Sequence, residues 1–80
     1  MKIFKFFSPT CGPCKVLDRN LKEAGIQYES IDVTDDANEE LITKYGIASV
    51  PTLLCVGDNG ESILKYRGIM TVDDIIKYFK

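Results

Sequence analysis

The sequence Cys11-Gly12-Pro13-Cys14 joins a strand-like run to an amphipathic, helix-like one. The run before it, residues 3–7, is rich in the aromatic and β-branched side chains that favour strands. Residues three apart on a helix have neighbouring side chains, about 5–6 Å apart at Cβ. A disulfide needs about 3.8 Å between those atoms. The two thiols can therefore interconvert with a disulfide after a modest local adjustment.

The start of a helix also favours thiolates over thiols. Its first turn carries unpaired N–H groups and the positive end of the helix dipole. Cysteines in such places have a pKa well below that of a free thiol. Cys14 opens an apolar stripe with Leu17, Leu21 and Ala24, which predicts that its side chain is buried. Cys11 is predicted to face solvent, so we expect Cys11 to attack and Cys14 to act as its shielded partner.

The length and charge of the chain indicate which classes of protein it can belong to. A length of 80 residues predicts a single domain, residues 1–80, and the net charge of -2 without a basic patch argues against nucleic acid as a partner. No segment approaches the roughly 18 apolar residues of a membrane span. Residues 1–7 are too short and too charged for a signal peptide. One close cysteine pair plus one odd cysteine suits a reducing compartment, so we expect a cytoplasmic monomer.

The chain has three cysteines and no histidine, which limits its chemistry. Without histidine there is no Cys–His nucleophilic catalysis and no histidine ligand for a metal. Structural zinc takes four ligands, and only Cys55 is left to join the pair, so we expect no metal site and favour redox chemistry over half of a zinc site. Cys55 itself lies in an apolar run, and we interpret it as core filling rather than as a regulatory thiol.

The rest of the pattern predicts the order strand, helix, strand, helix, strand, strand, helix, and hence a mixed sheet. The strands are expected at 2–7, within 26–33, at 52–56 and at 61–66, and the first helix at about 13–24. Two capping boxes are predicted to start the later helices, Asp36 with Glu39 and Thr71 with Asp74. Their apolar stripes are predicted to be Ala37, Leu41 and Tyr45 in one helix, and Val72, Ile75, Ile76 and Phe79 in the other.

Further motifs give the chain a family resemblance. Ser49-Val50-Pro51-Thr52 precedes the central strand, Tyr45-Gly46-Ile47 leads towards it, and Gly68 follows the hairpin. With Cys11-Gly12-Pro13-Cys14-Lys15 after a strand, the chain resembles the thioredoxin superfamily over essentially its whole length. The resemblance implies an α/β thioredoxin fold in its minimal, glutaredoxin-like form, a mixed four-stranded sheet flanked by three helices. The cysteine motif is similar to that of thioredoxins proper, and the compact size to that of glutaredoxins.

The resemblance also implies a role for each matching residue. Cys11 matches the nucleophile that forms a mixed disulfide with a target, and Cys14 matches the resolving thiol. Pro51 matches the family's cis-proline beside the sulfurs, Val50 the residue whose backbone pairs with bound substrate, and Gly68 a glycine that lets a partner approach. The expected substrate-binding residues are therefore Gly12, Pro13, Val50, Pro51 and Gly68.

Some positions depart from the family pattern. Thr10 replaces the usual tryptophan, and Asp73-Asp74 resembles the glutathione site of glutaredoxins only faintly. Lys5 stands where typical thioredoxins have a buried aspartate that assists proton transfer at the resolving thiol. A buried ammonium near Cys14 would favour the thiolate, whereas the alternative is a lysine that extends to water. Lys15 is either a second residue that tunes the thiols or a surface lysine.

These observations predict a thiol–disulfide oxidoreductase that needs no organic cofactor. The resemblance implies disulfide-containing target proteins, ribonucleotide reductase among them, and re-reduction by a flavoprotein of the thioredoxin reductase kind. One alternative is a glutaredoxin-like enzyme reduced by glutathione. Another is a binding module that keeps the fold and docks a partner on the surface around Pro51.

Overall fold

The computed structural model describes all 80 residues, and its elements follow the predicted order. The strands are β1 (Lys2–Phe7), β2 (Glu29–Asp32), β3 (Thr52–Val56) and β4 (Ser62–Arg67), and the helices are α1 (Gly12–Glu23), α2 (Glu39–Tyr45) and α3 (Val72–Phe79). The strands form one sheet in the order β2-β1-β3-β4. β1 and β2 are parallel, and the other two pairs are antiparallel. The predicted mixed four-stranded sheet with three helices is confirmed, and none of these helices has the length and apolar character to cross a membrane.

The two central strands carry the core because each contributes side chains to both faces of the sheet. All five residues of β3 are buried, as its continuous apolar run predicts. One face packs against α1 and α3, and its buried residues are Ile3, Leu17, Leu21, Ala24, Leu53, Cys55, Met70 and Ile75. The opposite face packs against the α2 region, and its buried residues are Phe4, Phe6, Ile31, Leu54 and Val56. Alternation along β1 therefore places Lys5 on the α1 face, beside Ile3.

The predicted start of the second helix is wrong. Asp35, not Asp36, caps the turn before the helix: its carboxylate accepts a hydrogen bond from the Ala37 N–H at 3.0 Å, and the helix itself starts after Asn38, which makes no side-chain capping bond. A single 3-10 turn, Asp36–Asn38, follows, and α2 begins only at Glu39. Ala37 therefore stands before the helix and is exposed, so the apolar stripe begins at Leu41.

The last helix is capped as predicted but is less buried than its sequence indicates. The Thr71 hydroxyl accepts a hydrogen bond from the Asp74 N–H at 3.2 Å. Ile75 is fully buried, and Val72 and Phe79 pack beside it. Ile76 is 43% exposed, because the next residue on a helix is rotated by about 100° and turns away from the sheet.

Candidate active site

The cysteine pair forms the N-terminal end of α1. Cys11 is the capping residue in an extended conformation, and its Sγ accepts a hydrogen bond from the Cys14 N–H at 3.1 Å. The two residues are joined by a disulfide, with their Cα atoms 5.3 Å apart. Pro13 lies in the first turn, where its missing N–H leaves no unsatisfied partner. The sequence thus folds locally into the geometry that its motif predicts.

The two sulfurs differ in exposure, as the helical stripe predicts. Cys14 is 2% exposed and continues into the buried residues Leu17 and Leu21. Cys11 is partly exposed. Only one side of the disulfide is therefore open to an incoming thiolate, and that side is Cys11.

The sheet brings Pro51 and Gly68 to the edge that carries the cysteine pair. β1 and β3 are antiparallel with Phe6 opposite Thr52, so Pro51 lies where the chain leaves β1 for the pair. On the far side of β3, the Gly68 N–H donates a hydrogen bond to the Pro51 carbonyl at 2.9 Å. The Val50–Pro51 peptide bond is cis, which is the isomer that the resemblance implies.

Three of the predicted substrate-binding residues, Gly12, Gly68 and Val50, leave this end of the sheet open. Gly12 is exposed, and a side chain built there would meet no atom within 4 Å. The same is true of Gly68, whose φ of +104° only glycine adopts readily. The N–H and C=O of Val50 form no hydrogen bond within the chain, although its side chain packs against the α2-face core. A peptide segment could therefore approach the backbone here without a steric obstacle.

Lys5 is buried, and this distinguishes the two interpretations of the residue, a buried ammonium and a lysine that extends to water. It is 6% exposed, and its Nζ donates a hydrogen bond to Asp18 Oδ1 at 3.0 Å. The ammonium also lies over the rings of Phe7 and Tyr28, 5.1 and 5.6 Å from their centroids. The alternative of a lysine that extends to water is excluded, because the charge is held inside by an ion pair and two aromatic faces.

Asp18 and Tyr28, both partly buried, complete the cluster around Lys5, and the sequence pattern did not predict them. The Tyr28 hydroxyl donates a hydrogen bond to Asp18 Oδ1, and the exposed Lys22 pairs with Oδ2 at 3.1 Å. The hydrogen bond from Tyr28, assisted by those from Lys5 and Lys22, lowers the pKa of Asp18 from 3.8 to about 2. Burial, with the nearby carboxylate, raises the pKa of Tyr28. Asp18 follows Cys14 by four residues on α1, a spacing that could have indicated it; Tyr28 has no such signal.

A cavity of about 180 Å³ connects the cluster with the cysteine pair. Its lining includes both sulfur-bearing residues together with Lys5, Lys15 and Asp18. Lys15 is exposed at the mouth, so it reaches the site from the solvent side. Since one water takes about 30 Å³ of liquid volume, the cavity has room for several. Lys5, Asp18 and the shielded sulfur of Cys14 therefore border the same pocket.

Cys55 lies apart from this site, in agreement with its interpretation as core filling. It is 2% exposed and belongs to the apolar cluster between the sheet and the α1 and α3 helices. Burial raises the pKa of its thiol. No group of three or more histidine, cysteine or acidic side chains is arranged as metal ligands anywhere in the structure.

The sequence model of one protein family, described as Thioredoxin, matches residues 1–80. The chain belongs to the thioredoxin family. It is 30% identical over 79 residues to the SPbeta prophage-derived thioredoxin-like protein YosR of Bacillus subtilis (strain 168), with 96% of each chain covered. A mutant thioredoxin from Halobacterium salinarum NRC-1 superimposes with a TM-score of 0.78 at 30% identity, covering 94% of this chain and 67% of that one.

Larger proteins contain a related segment. The protein disulfide-isomerase of Ricinus communis is 33% identical over 87 residues, a match that covers 98% of this thioredoxin-family chain and 18% of the isomerase. This chain thus spans less than a fifth of that relative. Family membership and the adjacent cysteine pair together make the protein a thiol–disulfide oxidoreductase in the general sense.

Proposed function

We propose that this thioredoxin-family protein is a dithiol electron carrier that reduces disulfides in other proteins. The observation that supports this most is the unequal exposure of the two bonded cysteines. Cys11 is partly open at the start of α1, whereas Cys14 is 2% exposed behind it. An attacking thiol must be reachable, and a resolving thiol must be shielded from outside reagents yet close to the first.

The reaction then has two displacement steps. The Cys11 thiolate attacks one sulfur of the target disulfide, so that a mixed disulfide forms and the other target sulfur leaves as a thiolate that takes up a proton. The Cys14 thiolate next attacks Cys11 Sγ, which forms the Cys11–Cys14 bond and expels the second target thiolate. Two electrons pass to the target, and the protein ends in the disulfide state described above.

The target segment docks at the sheet edge that holds Pro51. The unpaired N–H and C=O of Val50 supply one donor and one acceptor for an extended peptide. The open space before Gly68, and before Gly12 and Pro13 on the helix side, lets the target backbone come close. Backbone pairing of this kind recognises an extended chain with little dependence on its side chains.

The two oxidoreductase hypotheses differ in the donor that restores the dithiol. We favour a flavoprotein of the thioredoxin reductase kind over glutathione, because the motif between the cysteines is that of thioredoxins. Disulfide-containing proteins, ribonucleotide reductase among them, are the proposed targets. The protein would act without organic cofactor or metal, as a monomer in the reducing environment of the cytoplasm.

Insulin-disulfide reduction measured with two donor systems tests this proposal. We expect rapid turnover with NADPH and a thioredoxin reductase, and slow turnover with glutathione and glutathione reductase. The Cys11→Ser variant is the control and should be inactive with both. Turnover with glutathione alone would replace the proposal by a glutaredoxin-like function. No turnover with either donor, with partner binding retained in Cys11→Ser, would favour a binding module.

A further inference from the structure

We propose that the Lys5 ammonium is a fixed positive charge that stabilises the Cys14 thiolate, and that Asp18 and Tyr28 are positioning residues that hold it there. The inference rests on the proposed function, because it concerns the step in which Cys14 resolves the mixed disulfide. It comes from three observations: an ion pair whose ammonium is buried, two aromatic rings against that ammonium, and a cavity shared with the sulfur.

The first step is that Lys5 is held inside by its surroundings. Its side chain is 8% exposed, and the 3.0 Å contact with Asp18 spans from the middle of β1 to the second turn of α1. Phe7 and Tyr28 present their ring faces to the ammonium. A buried ammonium needs an anionic partner and π faces to offset lost hydration, and this cluster provides both.

The second step is that Asp18 acts as a fixed anion rather than as a proton carrier. Its two carboxylate oxygens accept hydrogen bonds from Tyr28, Lys5 and Lys22. With a pKa of about 2, it stays ionised throughout the range in which thiols titrate. A carboxylate so acidic is a poor acceptor for a thiol proton.

The third observation is the cavity, which the Lys5–Asp18 pair lines together with the sulfur of Cys14. Cys14 lies one helical turn before Asp18. The other titratable groups near the pair are Lys15 at the mouth, Lys22 on the outer side of Asp18, and Tyr28 beneath it. Of the three lysines, only Lys5 is buried, so its field is the least screened by water and salt.

The electrostatic account predicts shifts of opposite sign for the two members of the ion pair. Lys5→Met leaves the Asp18 carboxylate facing the sulfur, which raises the pKa of Cys14. Asp18→Asn leaves the Lys5 ammonium uncompensated, which lowers it. A unit charge within several ångströms at a partly buried site shifts a pKa by about one unit or more. The double variant should return close to the starting value.

The experiment measures the ultraviolet absorbance of the Cys14 thiolate against pH in a Cys11→Ser/Cys55→Ala background, where Cys14 is the only thiol and no reagent has to reach its buried sulfur. Lys22→Gln is the matched control: it removes a lysine that contacts the same carboxylate but is exposed, and it should shift the pKa of Cys14 far less. Shifts of opposite sign in Lys5→Met and Asp18→Asn support the proposal.

Equal shifts in the same direction, or none in either variant, would overturn the proposal, since loosened packing has no reason to respond to the sign of the removed charge. If Lys5→Met does not fold, Asp18→Asn decides alone: a lower pKa supports the inference, and an unchanged or higher one overturns it. The titration reads the charge at the sulfur with no target present. Its failure is therefore distinguishable from a failure of the proposed reductase activity, which only the insulin assay reports.

Discussion

Cys14 and Cys55 are buried to the same extent, but only Cys14 is joined to another cysteine. Each is 2% exposed, and both lie on the side of the sheet that packs against α1. Cys55 is surrounded by aliphatic side chains, and burial raises the pKa of its thiol. Cys14 lies at the start of a helix, one bond from Cys11 and in a cavity with Lys5.

The comparison teaches that exposure alone does not identify a reactive thiol. Desolvation disfavours a thiolate wherever it acts, so a buried cysteine stays inert unless compensating groups are built around it. Around Cys14 the groups that we propose for this role are the N–H groups and dipole of α1 and the ammonium of Lys5, which lines the same pocket. Around Cys55 the surroundings are apolar, and the N-terminal ammonium lowers the pKa of its thiol by less than burial raises it.

The largest expected effect is on disulfide-reducing activity, which should depend on Cys14 and not on Cys55. Cys14→Ser should reduce insulin-disulfide turnover to the uncatalysed level, because no resolving thiol remains to release the target. Cys55→Ala should retain the native turnover, since that sulfur takes no part in the exchange. A steady-state assay of both variants checks this. Loss of turnover in a folded Cys55→Ala protein would show that the comparison is mistaken.

The next effect is the rate of chemical modification. In the reduced native protein, iodoacetamide should label Cys11 quickly, whereas Cys55 should stay unlabelled until the chain is unfolded, because its thiol is both enclosed and mostly protonated at neutral pH. Peptide mapping at successive times gives the rate for each cysteine. Labelling of Cys55 at a rate comparable to that of Cys11 in the folded protein would contradict its placement in the core.

A smaller effect is expected on the free energy of unfolding. Cys55→Ala should lower the free energy of unfolding by about 1 kcal/mol, because it removes a buried sulfur from a packed cluster. Urea denaturation monitored by far-ultraviolet circular dichroism measures this. The conservative Cys55→Val change, which fills the site, should cost less than the alanine change. A larger loss in the valine variant would mean that the thiol makes a specific interaction there.

The last effect is a pH dependence of stability to which Asp18, in the pocket beside Cys14, contributes, and it is confined to acidic pH. Because folding lowers the pKa of Asp18 from 3.8 to about 2, its contribution is complete above about pH 4 and is lost as the pH falls towards 2. The stability difference between the native protein and Asp18→Asn should therefore narrow over this range. Urea unfolding of both proteins at several pH values measures it. A constant difference would show that Asp18 is not stabilised as an anion.

Much of the fold could be predicted because local patterns and global packing agree. The nearly continuous apolar run 52–56 became the buried strand β3, and the glycines at positions 25 and 46 adopt the left-handed conformation after their helices. The α2 start was predicted wrongly because Asp35 and Asp36 are equally suited to cap a helix by sequence. Which one does so depends on how the chain leaves β2. Ile76 was assigned to the core because a short helix does not reveal how wide its buried face is.

At the site, the sequence predicted the cysteine pair, but it did not predict the two side chains, Asp18 and Tyr28, that hold Lys5 beside it. Cys11 and Cys14 lie three residues apart, so helical geometry brings them together without tertiary information. Lys5, Asp18 and Tyr28 come from a strand, a helix and the loop before β2, and only the parallel crossover places them in contact. The sequence showed that Lys5 is unusual in its position. The partners that keep it buried are long-range, and no spacing rule joins all three.

The central claim is that Cys11 exchanges bonds with a protein disulfide and that Cys14 releases the product. Trapping tests it most directly: the reduced Cys14→Ser variant is mixed with a disulfide-bonded substrate, and the products are analysed by intact mass and peptide mapping. The account predicts a stable mixed disulfide on Cys11, with no such adduct in Cys11→Ser and only a transient one in the native protein. An unmodified Cys11 in the folded Cys14→Ser variant, or an adduct on Cys55 instead, would contradict it.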